Sequence, residues 1–172
     1  MRGIYDVFIC HRGPDTKRNI VSVLRGMLNS KGITCFVEYK LEEGAEIYSS
    51  IEDAIRGSKV HIILLSPDFA GSIWCLDEVV EILKAQGSST SSTTTSTVIP
   101  VFCDVQTSTV RNQPKDSAYD LSKLRRSSSE EREIWSKALK DVSDIEGFDY
   151  DTKRTDTWEK VQEIVARVDD IL

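Results

Sequence analysis

The chain lacks the marks of several protein classes. Its four cysteines, Cys10, Cys35, Cys75 and Cys103, stand alone in separate segments with no C-x-x-C pair. That pattern fits neither a zinc site nor the cysteine density of a small secreted scaffold, and all four read as reduced, mostly buried thiols. No apolar run approaches the roughly 20 residues of a membrane-spanning helix; the longest, residues 60–65, is interrupted by His61. Asp6 breaks the apolar run near the N-terminus, so no signal peptide is read there. Positive charge is in deficit: 22 Lys and Arg against 28 Asp and Glu give a net charge of −6, which leaves no global positive field for nucleic acid. Neither G-x-G-x-x-G nor G-x-x-x-x-G-K-[ST] occurs, which argues against a dinucleotide dehydrogenase and a P-loop enzyme. A soluble, cytoplasmic protein with no membrane or nucleic-acid partner is the expectation.

What is present fits one domain over residues 1–172, because 40% of the chain is hydrophobic and 29% charged, enough for a core of its own. Short β-rich runs at 5–10, 33–37, 60–65, 98–102 and, weakly, 147–150 alternate with segments of helical spacing. These include Ile20, Val23, Leu24, Met27 and Leu28; Ile47, Ile51 and Ile55; and Leu76, Val79, Val80 and Leu83. Alternation of strand and helix predicts a parallel sheet, and the nearly continuous apolar runs at 60–65 and 98–102 predict central strands covered on both faces. The pattern therefore predicts an open, doubly wound α/β sandwich. Ten consecutive Ser and Thr residues, 88–97, predict a mobile loop, since they bury too little apolar area to offset the entropy of ordering. Residues 106–133 are polar and irregular until helical spacing returns at Ile134, Trp135, Ala138, Leu139 and Val142, which predicts a long fourth connection built of several short helices. A last stripe, Trp158, Val161, Val165, Val168 and Leu172, predicts a helix packed on the sheet.

Ligands of such sheets lie beyond the carboxyl ends of the strands, which nominates the loops at 10–16, 38–46 and 66–75. A phospho-acceptor receiver domain would need Asp at the end of the third strand, where Ser66-Pro67 stands. Cys10 and His11 are neighbours at a strand end, so their side chains face apart and do not form a nucleophile and base; His61 reads as a core histidine. Arg12-Gly13 fits either a bidentate grip on a phosphate or a surface ion pair, and Asp15-Thr16 fits a cap for the first helix. Asp77, Glu78 and Glu81 lie off the apolar stripe of their helix and read as a solvated acidic face outside the core, placed where the macrodipole favours carboxylates. Periodicity does not choose among the three. Trp74, read as the loop residue before that helix, fits a stacking surface and a packed anchor equally well.

Taken together, the residues resemble a plant Toll/interleukin-1 receptor (TIR) domain from Tyr5 to the last helix. The likeness rests on Tyr5-Asp6-Val7-Phe8-Ile9 with Arg12-Gly13-x-Asp15-Thr16, on Lys31-Gly32-Ile33 through Leu41-x-x-Gly44-x-x-Ile47, on Ser72-Ile73-Trp74-Cys75-Leu76-Asp77-Glu78, and on Val98-Ile99-Pro100-Val101-Phe102 with Asp104-Val105 and Val110-Arg111. The resemblance implies a flavodoxin-like three-layer sandwich with a five-stranded parallel sheet. It also implies cleavage of NAD or NADP as substrate, with release of nicotinamide and formation of ADP-ribose or cyclic variants as plant immune signals, and no separate cofactor or metal. Glu78 falls on the family's catalytic glutamate; His11, Arg12, Gly13, Ser72 and Trp74 fall on positions that would border the dinucleotide. Arg12 would meet the phosphates, Trp74 the base, and His11, in a place usually aromatic, would stack.

Homo-oligomers through TIR–TIR contacts, and pairing with other TIR proteins, are further implications. Pro14 and Glu43 stand where the family carries an acidic and a basic residue, and Ser22-Val23 where it often carries Ser-His. The Gly expected after Val110-Arg111 is absent, with Pro114-Lys115-Asp116 in that region. A TIR adaptor that acts by association alone therefore remains the alternative. Neither the nucleotide-binding ATPase nor the leucine-rich repeats of plant receptors are in the sequence, which fits a TIR-only protein, favoured by the lean start at Met1, or one domain of a longer receptor.

Overall fold

The computed structural model describes residues 5–16, 20–37, 45–87 and 96–172. Among them, five parallel strands form one sheet in the order β2-β1-β3-β4-β5, with β1 at Val7–Cys10, β2 at Cys35–Val37, β3 at Val60–Leu65, β4 at Thr97–Cys103 and β5 at Phe148–Tyr150. The alternating pattern predicts the parallel, doubly wound sheet, and the order is the flavodoxin-like one that the resemblance implies. All six residues of β3 are buried, which suits a central strand with helices on both faces. It pairs with β1 from Val7↔Val60 to Cys10↔Ile63 and with β4 from Val60↔Thr97 to Leu65↔Phe102. Thr97, expected in the Ser/Thr loop, is instead the first residue of β4, where its N–H donates to the Lys59 carbonyl at 2.9 Å; residues 88–95 of that loop lie outside the described residues. Gly147 precedes β5 at a place where a Cβ would collide with the Pro100 carbonyl oxygen, so only glycine lets the edge strand approach β4 there.

Side chains of each strand alternate between two cores. Val7, Ile9, Ile62, Leu64, Ile99 and Val101 meet α2 (Ser22–Ser30) and α7 (Thr157–Ile171) on one face. Phe8, Cys10, Ile63, Leu65, Val98 and Phe102 meet α3 (Ala45–Gly57), α4 (Ile73–Gly87), α5 (Thr107–Asn112) and α6 (Ser129–Ser143) on the other. The fourth connection is long and multi-helical as expected: α5, a single 3₁₀ turn at Leu121–Lys123, then α6. Helix α6 begins five residues before its apolar spacing because Ser128 and Glu131 form a reciprocal capping box, the Ser128 hydroxyl accepting from the Glu131 N–H at 3.1 Å and the Glu131 carboxylate from the Ser128 N–H at 2.9 Å.

Two expected stripes differ in detail. In α7 the buried set is Val161, Ile164, Val165 and Val168, while Trp158 and Leu172 are exposed at the two ends, beyond the reach of the sheet. In α4 it is Cys75, Leu76, Val79 and Ile82, with Val80 and Leu83 half-buried, because α4 presses one edge against the sheet and the other against its neighbours. None of the four cysteines forms a disulfide, and Cys10, Cys75 and Cys103 are buried while Cys35 is half-buried. Among the described residues no helix is long and apolar enough to cross a membrane.

Candidate functional site

Strand order reverses between β1 and β3, so the loops leaving their carboxyl ends open a crevice. After β1 the chain enters α1, the short helix Gly13–Thr16. His11 is buried, and its Nδ1 lies 3.0 Å from the Thr16 hydroxyl oxygen. That hydroxyl donates to the Arg12 carbonyl at 3.4 Å, which leaves a lone pair for an Nδ1–H of the imidazole. Thr16 thus ends α1 as a tie to His11 rather than capping a helix start, and the His11 ring is packed inside instead of presenting a face to solvent. Arg12 and Gly13 are half-buried beside it. Of the second nominated loop, 38–46, residues 38–44 lie outside the described residues and 45–46 open α3.

The third loop delivers α4. The Ser72 hydroxyl accepts from the Cys75 N–H at 3.2 Å and so caps the helix, and the Cys75 thiol donates to the His11 carbonyl at 3.7 Å, joining the β1 loop to the first turn of α4. Trp74 was expected in the loop but is the second residue of α4. Glu78 follows one turn later, and residues four apart share a helix face. Glu78 is only 4% exposed, which corrects the reading of a solvated acidic face outside the core. The helix wheel describes α4 alone, whereas α3 and α6 flank it and cover residues that its own stripe leaves out. Asp77 stays exposed, and its Oδ1 accepts the Trp135 indole N–H at 2.9 Å. Glu81 is half-buried with a weak pairing to Lys84 at 3.5 Å.

Trp74 and Glu78 line a cleft of about 300 Å³ along the outer side of α4, walled by Ile51 and Ile55 of α3 and by Ile134 and Trp135 of α6. Its titratable lining is acidic: Glu52, Asp77, Glu78, Glu81 and Glu131 against Lys84. An apolar floor with surplus negative charge suits a flat ligand carrying positive charge on one part. The structure thus brings two of the expected residues, Trp74 and Glu78, into one cleft. His11, Arg12, Gly13 and Ser72 gather instead at the N-terminal end of α4. Behind the α3 wall, His61 donates Nε2–H to the Ile55 carbonyl at 2.7 Å, while its Nδ1 has no partner among the described residues; burial pushes its pKa below the ordinary histidine value. A wider depression of about 820 Å³ lies past β4 and β5, where Asp104 already accepts the Thr152 N–H and hydroxyl at 2.8 and 2.9 Å. Among the described residues no three His, Cys, Asp or Glu converge as metal ligands. Sequence reasoning missed the α6 wall and the Asp77–Trp135 bond, for which residues 58 apart carry no local signal.

An open, doubly wound parallel sheet with helices on both faces and a carboxylate-lined cleft along the outer side of α4 defines an α/β domain of the flavodoxin-like class. The TIR domain family profile matches residues 4–170, and the chain belongs to that family. It is 38% identical over 150 residues to disease resistance protein RML1B of Arabidopsis thaliana, covering 85% of this chain and 14% of that protein. It is 34% identical over 171 residues to TMV resistance protein N of Nicotiana glutinosa, covering 97% and 14%. The chain therefore spans about one seventh of the length of these plant relatives. Among solved structures, the TIR domains of the activated Roq1 resistosome, which recognises the pathogen effector XopQ, superpose with a TM-score of 0.80 at 32% identity, covering 95% of this chain and 99% of that one. The RPS4 and RRS1 TIR domain heterodimer, at 19% identity and a TM-score of 0.57, shares the fold.

Proposed function

We propose that this TIR domain cleaves the N-glycosidic bond of NAD or NADP in the plant cytoplasm and thereby makes a disease-resistance and cell-death signal, with self-association or pairing with other TIR domains switching it on. The observation that carries the reading is Glu78, a carboxylate 4% exposed yet lining a cleft one helical turn from Trp74. The kinship with plant disease resistance proteins supports the same class.

The chemistry asks for one carboxylate. The C1′–N bond breaks with its electron pair passing to the pyridinium nitrogen, so nicotinamide leaves neutral and needs no general acid, unlike ordinary glycoside hydrolysis with its two carboxylates. Glu78 stabilises the cationic ribosyl centre or holds a ribose hydroxyl. Water then adds at C1′ and releases a proton, giving ADP-ribose, or a nucleophile within the ADP-ribosyl group closes a cyclic product. The acidic lining favours the cationic pyridinium half, Trp74 borders a base, and Arg12 with Gly13 and Ser72 serves the diphosphate end, away from the carboxylates, while buried His11 holds that loop through Thr16.

The test is nicotinamide release from NAD by purified protein over a hundredfold range of concentration. Specific activity that rises with concentration and vanishes in Glu78→Gln is the expected result. Silence of the wild type at every concentration would make the chain an association-only adaptor, and flat specific activity from a monomer would remove assembly from the mechanism.

A further inference from the structure

Trp135 is 2% exposed, yet its indole N–H needs an acceptor once it leaves water. It finds one across the helix interface in Asp77 Oδ1 at 2.9 Å. Asp77 directly precedes Glu78, and the α6 side of the same cleft is made by Trp135 with Ile134 and Glu131, one and four residues before it. Ile134 is 55% exposed, so it packs little on the protein itself and offers its side chain to whatever enters. Farther along α6, Ala138, Leu139 and Val142 anchor the helix in the core. The Asp77–Trp135 bond lies nearer the N-terminal end of α6, on the stretch that faces the cleft.

We infer that Asp77 is a positioning residue: through the Trp135 indole it holds the N-terminal half of α6 against α4 as the outer wall of the Glu78 cleft. The consequence for catalysis rests on the function proposed above; the wall itself does not. Without the acceptor, a buried N–H would be stranded, and Trp135 would turn out and carry Ile134 and Glu131 away from the substrate. Holding a reactant between two walls is worth orders of magnitude in effective concentration, so a loosened wall acts on binding first.

The experiment compares Asp77→Ala, Asp77→Asn, Trp135→Phe and the double variant Asp77→Ala/Trp135→Phe, reading hydrogen exchange of the Trp135 indole by NMR alongside KM and kcat for nicotinamide release. The expected pattern is a KM raised about tenfold in Asp77→Ala and Trp135→Phe with kcat nearly kept, no further rise in the double variant, and recovery in Asp77→Asn, which retains an acceptor. A merely structural bond would lower the folded fraction, cutting apparent kcat at unchanged KM, and that result overturns the inference, as does additivity in the double variant. If the wild type releases no nicotinamide, the enzymatic reading fails and exchange decides alone: indole protection lost in Asp77→Ala and kept in Asp77→Asn sustains the wall, and protection equal to wild type in Asp77→Ala overturns it.

Discussion

The two faces of the sheet are built from the same strands and do different work. On the α2/α7 face, Val7, Ile9, Ile62, Leu64, Ile99 and Val101 meet Leu24, Leu28, Val161, Ile164, Val165 and Val168, and polarity enters at the edge, where the Tyr150 hydroxyl pairs with that of Thr157 at 2.6 Å and Cys103 is buried. On the α3/α4/α6 face, the core also holds His61, Glu78, the Tyr119 hydroxyl and the Trp135 indole. Each polar group there needs a partner: Tyr119 donates to the Ser66 carbonyl at 2.7 Å, His61 to Ile55, and Trp135 to Asp77. An apolar face contributes stability in proportion to area and tolerates variation. A face with buried polar groups contributes less per residue but can host chemistry, because a carboxylate kept from water interacts strongly with a developing positive charge.

Leu64 and Leu65 are neighbours on β3 that point to opposite faces, so they offer the sharpest test of this division. Leu64→Ala should cost about 2–5 kcal/mol, read by urea denaturation, while the molecules that remain folded keep the KM of the wild type. Leu65→Ala should cost as much and also raise KM, because the cleft helices rest on it. Equal KM shifts in both would merge the two faces into one mechanical unit.

Next in size is Glu78→Gln, expected to slow nicotinamide release at least about a hundredfold, or roughly 2.7 kcal/mol of barrier. Its melting temperature should move less than that of Leu64→Ala, since shape and packing are kept. A collapse of stability with no specific loss of turnover would return Glu78 to the core.

A smaller effect should appear with pH. The folded-state pKa of His61 is lowered by burial, so the unfolded chain binds the proton more readily, and this contribution to stability, complete above the ordinary histidine pKa, is lost as pH falls from there toward the folded value. Denaturant midpoints at pH 7.5, 6.5 and 5.5 should decline, and His61→Gln should flatten that decline. An unchanged slope in the variant would place the acid sensitivity elsewhere.

The smallest effect belongs to Trp158, 59% exposed on α7. Trp158→Ala should change stability by about 0.5 kcal/mol or less, which would mark the outward side of α7 as energetically idle in a single copy. A loss of several kcal/mol that grows with protein concentration would instead show that this side is covered by a second molecule.

Much of the fold was legible locally. Five short apolar runs became five strands, with errors only at their ends: Thr97 and Cys103 joined β4, β1 shrank to Val7–Cys10, β2 to Cys35–Val37 and β5 to Phe148–Tyr150. Strand ends depend on where a neighbour's hydrogen bonds begin, which a single run does not encode. Trp74 and Glu78 were legible as candidates through the family motif, and the structure brings them to one cleft. The burial of Glu78, the helical place of Trp74 and the tie of Asp77 to Trp135 were not legible, because each depends on what lies beside α4 and not on α4 itself.

By itself, then, the sequence determined the alternation of strand and helix, the parallel sheet, the covered central strands and the short list of residues able to do chemistry. These follow from periodicity and side-chain type, which are local properties of the chain. Tertiary structure alone decided that α3 and α6 would flank α4 closely enough to bury one carboxylate, leave its neighbour Asp77 exposed and turn an apolar residue of α6 toward both. Exclusion of water is a property of the assembled walls, and no single helix carries it.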